Sequence, residues 1–132
     1  MTYRRIAVSA TCALLLGVVP TLGHHAVQAQ FDFNRPPVVL KGTVKRMEWI
    51  NPHTYLHLDV KDDAGKVRTW ALESNSVESL RKLGLARNAL KFGDAVVANI
   101  YQSRNGSDSG FMVGLTLADG RVITTWFQGQ KP

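Results

Sequence analysis

Residues 54–60, TYLHLDV, alternate without a break: Leu56, Leu58 and Val60 fall on one side of an extended chain, Tyr55, His57 and Asp59 on the other. A period of two over seven residues marks a strand with one buried face, and a helix would scatter that apolar set around its axis. The same rhythm recurs along the chain. VVLKGTVKRMEW (38–49) alternates through Val38, Leu40 and Val44, with Gly42 where a bulge or tight bend is tolerated. The turn DDAGK leads into VRTWALE (67–73), a Gly-Asp turn precedes a strand at 95–101, and FMVGLTL and RVITTWF flank Ala118-Asp119-Gly120 as a hairpin. Between them QSRNGSDSG (102–110) reads as a mobile loop.

One stretch has helical character. Asn75 with Glu78 forms a capping box, Val77, Leu80 and Leu83 make a one-sided apolar stripe, and Gly84 suits the position just past the helix end. Three strands, one short helix and two or three more strands are the order of a small OB-like Greek-key β-barrel over residues 38–128. Closure removes the edges that a lone sheet of this size would expose. An open α+β sheet with the helix on one face is the alternative architecture. At 132 residues and 45% apolar composition the chain has room for one such domain.

The N-terminus has a different composition. Arg4 and Arg5 precede the 17-residue apolar run IAVSATCALLLGVVPTL, the pattern of a secretory signal peptide. The run is shorter than the roughly 20 apolar residues of a membrane span, so the expected product has no span once the leader is cut. Ile6 and Ala7 fit a twin-arginine signal poorly, and SATC lacks the leucine expected before a lipid-modified cysteine. The expected location is outside the cytoplasm, in the periplasm. Two cuts satisfy the small-residue rule: after Gly23, which makes residues 1–23 the leader and 24–37 a free, polar arm, or after Ala29, which removes His24 and His25.

Cys12 is the only cysteine, so the chain beyond the leader has no disulfide, thiolate metal site or thiol nucleophile. Losing Arg4 and Arg5 takes the formal charge from +6 to +4, and the remaining cations are interspersed with ten Asp and Glu. That is a solvated surface, not a basic stripe, and nucleic acid is not an expected partner.

His24-His25, Phe31-Asp32, LKGTVKRMEWINPH (40–53), WALE (70–73), LKFGDAV (90–96) and LADGR (117–121) together resemble a family of short exported bacterial proteins, the domain of unknown function 6152. Ala26 and Val27 depart from the Ser-Phe that commonly follows the His pair there. The resemblance implies an exported single domain, places the His pair in the recurring unit and thereby favours the earlier cut. It implies no activity.

Antiparallel pairing of three successive strands brings the end of the first beside the start of the second, and that start beside the end of the third. Glu48, Trp49, Asn51, His53, Glu73 and Asn75 are therefore expected to converge at one end of the barrel. The cluster has a structural reading, in which Asn51 and His53 anchor their turn and Glu73 sits near a helix N-terminus. It also has a binding reading, as a small ligand or metal site. His24, His25 and His53 are the candidate metal ligands, because a terminal amine with imidazoles suits copper(II) or zinc. His57 lies four strand residues from His53, roughly 13 Å, and reads as an exposed surface histidine. Trp49, Trp70 and Trp126 read as core, with ligand stacking as the alternative.

No nucleophile elbow, phosphate-binding glycine loop or His-Glu-x-x-His motif is present, so no catalytic residue is assigned. The expected function is non-catalytic binding of a small ligand or an exported protein partner; the alternative is periplasmic copper or zinc binding or delivery.

Overall fold

The computed structural model describes residues 22–126. Helix α1 (Leu22–Gln30) is followed by strands β1 (Val38–Glu48), β2 (Thr54–Lys61) and β3 (Val67–Ser74), helix α2 (Val77–Lys82), and strands β4 (Ala95–Gln102), β5 (Ser109–Thr116) and β6 (Val122–Thr124). Residues 1–21, which make up most of the expected leader (1–23), lie outside the described residues.

β1 is the pivot of the sheet. Its first half, Val38 to Thr43, pairs with β4, and its second half, Thr43 to Glu48, pairs with β2 across a bulge between Val44 and Arg46. β2 pairs with β3 along its whole length, from Thr54↔Ser74 to Lys61↔Val67. A short parallel seam, Ala71↔Ser109, Leu72↔Gly110 and Glu73↔Phe111, joins β3 to β5. With β5 on β4, the order β3-β2-β1-β4-β5 returns to β3, a closed five-stranded OB-like barrel with β6 added outside β5. The open-sheet alternative is excluded by that seam.

The alternation read in the sequence is largely the alternation of burial, except at Val38, which was read with Leu40 and Val44 but stands 39% exposed at the start of β1. Leu56, Leu58 and Leu72 are fully buried with Leu40, Val44, Val96, Ala98, Ile100, Met112 and Leu115 inside the barrel. Leu80 of α2 and Leu85 after it join the same core. Gly42 has a reason beyond a tolerated bend: a Cβ there would stand 2.7 Å from the carbonyl oxygen of Asp59, so the glycine lets β2 cross close over β1. Gly42→Ala is expected to cost about 1–2 kcal/mol through that backbone clash, read as a lower urea midpoint; an unchanged midpoint would mean the strands separate freely at this crossing.

Three local readings are corrected. The N-cap of α2 is Ser76, whose Oγ accepts from Ser79 N at 3.2 Å, and not Asn75. Both residues suit a cap, and Asn75 is drawn instead to the barrel, where its amide donates to the Thr125 carbonyl. The stretch 102–110 is an ordered turn: Asn105 Oδ1 accepts from Ser103 Oγ and Ser107 N, each at 2.9 Å. Its last two residues, Ser109 and Gly110, belong to β5 and make the seam. A Cβ on Gly110 would meet Ile100 Cδ1 at 2.5 Å, so the residue that looks like loop is what lets the strands close.

The third correction concerns the arm. It is helical over Leu22–Gln30 and docked, not free. Phe31 is 1% exposed and bridges Ser103, and Arg104 N donates to Gln30 O at 2.9 Å. Phe31 and Phe33 stack on Phe111 at 5.8 and 5.9 Å, Phe33 lies 4.7 Å from Tyr101, and Trp126 meets Phe111 edge-on at 5.2 Å. These rings form a second apolar cluster on the outside of the barrel, separate from the core.

Candidate functional site

The outer face of β2 carries His53 just before the strand, then Tyr55 and His57 at alternate positions. Register places Glu48 of β1 and Glu73 of β3 on either side of Tyr55, and Arg46 beside His57. Two carboxylate–imidazole pairs result. His53 Nδ1 bonds Glu73 Oε1, and His57 Nε2 bonds Glu48 Oε1 at 2.8 Å. Tyr55 stands between them.

The pairs differ in environment. Glu48 is also held by Arg46 at 2.8 Å and is partly open to solvent. The Arg46 hydrogen bond is the largest influence and, with a lesser contribution from His57, keeps its carboxyl below the ordinary 4.5 although burial opposes them. A depressed carboxylate contributes stability that is present above the unfolded value and lost as pH falls through the folded one. Arg46→Ala is therefore expected to raise the Glu48 midpoint toward 4.5 and to shrink the stability that this carboxylate loses as pH falls below that value. Carboxyl carbon NMR titration of both proteins checks it, and an unmoved midpoint would mean that His57 alone sets the value.

Glu73 is 6% exposed although it lies on the outer face, and among the described residues its one ion-pair partner is His53. A carboxylate taken from water requires such partners. Burial first, then the neighbouring Glu73 charge and hydrogen bond, push the Tyr55 phenol above its ordinary 10.0. The His53 side chain is 33% exposed, and its Nε2 has no hydrogen-bond partner among the described residues.

The residues expected at this end take several parts. His53 and Glu73 meet, and Glu48 joins the same face through Tyr55 rather than by touching them. Asn51, preceding a cis peptide to Pro52, accepts from Val77 N at 3.2 Å and ties the β1–β2 turn to α2. Asn75 receives Thr54 Oγ1 on its carbonyl at 2.9 Å while its side chain holds Thr125. These two amides are structural staples. Trp49 packs against the core with Arg87 5.7 Å from its ring centre, and Trp70 also packs on the core. Trp126 belongs instead to the outer aromatic cluster.

His57 corrects the reading of a lone surface histidine: its side chain is only 16% exposed and is paired. Alternation had put Tyr55 and His57 on the non-core face, but their carboxylate partners follow only from register. The backbone at His24 and His25 lies in α1, and their side chains lie outside the described residues.

Among the described residues no group of three His, Cys, Asp or Glu side chains is placed to hold a metal ion. A cleft of about 420 Å³ lies elsewhere, between the arm and the turn after β4, lined by Asp32, Arg35, Pro36, Val38, Gln102 and Arg104 among others. Asp32 engages both guanidiniums there, at 3.1 and 3.5 Å, so the charges of that cleft largely satisfy one another. No described helix is long and apolar enough to cross a membrane.

A model described as Family of unknown function (DUF6152) matches residues 13–112. Comparison with curated proteins and with solved structures returns no match.

Proposed function

The chain belongs to that family of unknown function, and we propose that it is an exported, periplasmic, non-catalytic binding domain that takes a small polar ligand or a protein partner on the outer face of β1–β3. The observation that carries the reading is Glu73, a carboxylate only 6% exposed outside a barrel whose interior is already filled by apolar side chains. Burying such a group is costly, and the core does not require it. With His53, Tyr55, His57 and Glu48 it lines the face with hydrogen-bonding groups of both kinds. Export is supported by the leader pattern of residues 1–23.

The test is an amide NMR titration of the exported chain with a periplasmic small-molecule extract. Shifts confined to residues around 53–57 and 73 are expected. Shifts elsewhere, or none with either the extract or a periplasmic protein fraction, would overturn the reading. N-terminal sequencing of the same preparation tests export, with His24 expected as the first residue.

Metal binding or delivery through His24, His25 and His53 is the second reading. It draws on one observation, the Nε2 of a histidine whose other nitrogen is engaged by Glu73 and which has no hydrogen-bond partner among the described residues.

A further inference from the structure

We propose that β6 is a self-pairing edge, through which two copies of this chain associate by antiparallel pairing of Val122–Thr124 with the same residues of the second copy, about a two-fold axis at Ile123.

β6 is the last strand of the sheet. It pairs with β5 at Gly114↔Thr124, Leu115↔Ile123 and Thr116↔Val122, and no described strand lies on its other side. The hydrogen bonds flanking these pairs fix which way its backbone points. Leu117 N donates to Arg121 O at 2.8 Å, and Thr125 N donates to Val113 O at 3.1 Å. Residues 121, 123 and 125 therefore turn their polar backbone groups toward β5, and Val122 and Thr124 turn theirs outward. The N–H and C=O of these two residues have no hydrogen-bond partner among the described residues, and both side chains are exposed, Val122 at 69%. Donors and acceptors at alternate residues of an edge fit another extended backbone.

The strand is complementary to itself. A two-fold axis at Ile123 sets Val122 of each copy opposite Thr124 of the other, the isologous arrangement of a closed dimer. Two β-branched side chains are favourable cross-strand neighbours. No like charges are opposed, because Arg121 falls opposite Thr125 and is already paired with Asp119 at 2.8 Å. The outer row Val97↔Thr116↔Val122 of one copy then continues into Thr124↔Gly114↔Asn99 of the second.

β6 also lacks the devices that keep an edge solitary: it has no charge, proline or bulge. The other open edge is guarded. Val67–Trp70 of β3 precede the seam and face no strand opposite β2, but Arg68 is tied to Asp108, the residue before β5, at 2.8 Å. β6 joins β5 at Gly114–Thr116 and the seam lies at Ser109–Phe111, so the pairing uses neither the seam nor the face of β1–β3.

The experiment is sedimentation equilibrium of the exported chain, with amide hydrogen exchange at the lowest and highest concentrations. So short a strand makes a small interface, and dimers are expected to form between about 10 μM and 1 mM. Exchange of the Val122 and Thr124 amides should slow as they form. Val122→Lys/Thr124→Lys sets lysine opposite lysine at both outer pairs and should weaken association at least about tenfold. Val122→Glu/Thr124→Lys alters the same two exposed positions but opposes unlike charges, and should bring association back to within about threefold of the unaltered protein. That recovery separates lost pairing from a damaged strand.

A monomer at every concentration would overturn the proposal. So would a dimer that the double-lysine variant retains, which places the interface elsewhere, or protection at Val67 and Thr69 instead, which makes β3 the pairing edge. A glutamate–lysine variant that stays as weak as the double-lysine one would overturn the two-fold register about Ile123.

Discussion

Phe111→Ala is expected to lower the stability of the domain by about 3–5 kcal/mol, the cost of removing a fully buried aromatic ring. Phe111 is 2% exposed and is the hub of the outer cluster, touching Phe31, Phe33 and Trp126. Its loss leaves a cavity and deprives both flanking segments of their common anchor. Urea unfolding gives the magnitude, and limited proteolysis gives the location, with new cleavage expected within 24–36. Phe33→Ala removes a half-buried ring and should cost less. A loss below about 1 kcal/mol for Phe111→Ala would mean that the hydrogen bonds of Gln30 to Ser103 and Arg104 hold the arm unaided.

His53→Ala is expected to cost about 2–3 kcal/mol, below the full value for breaking a buried ion pair because the imidazole is one-third exposed. The cost arises from what is left behind, a carboxylate 6% exposed with Tyr55 as its remaining neighbour. Glu73→Gln leaves no charge to strand and keeps an acceptor for His53, so it should cost less. The double variant His53→Ala/Glu73→Gln should then recover part of the single histidine loss. If His53→Ala melts like the unaltered protein, Glu73 is stabilised without the imidazole and the anchoring role fails.

The barrel was readable because strands with one buried face alternate, and Leu40, Val44, Leu56 and Leu58 occupy the positions that alternation assigned to the core. Helix α2 was readable from its apolar stripe, and its cap was displaced by one residue because Asn75 and Ser76 are both competent caps. What escaped was structure without a periodic signal. Ser109 and Gly110 close the barrel, yet serine and glycine in such a run carry the composition of a turn. The docked arm escaped for a similar reason, since Phe31 and Phe33 are two isolated rings in a polar context and their partners lie some 70–95 residues away.

The site was legible in its neighbourhood and not in its pairing. Strand order alone brought Glu48, His53 and Glu73 to one region. Which carboxylate meets which imidazole depends on register, and a shift of one residue would have turned Tyr55 and both glutamates to the opposite face.

The seam between β3 and β5 consists of three residue pairs, and Glu73 is in one of them. Its strands are separated by the whole of α2 and β4, so closing it carries the loop entropy of a long-range contact. The seam sets Phe111 beside Glu73 at the border of the face built by β1–β3. A molecule that engages this face would therefore act as a clasp on the barrel, favouring the folded state by an amount set by its concentration relative to its dissociation constant. Occupancy would then be readable as a rise in Tm and as slower amide exchange along residues 71–73 and 109–111, before the occupant itself is identified.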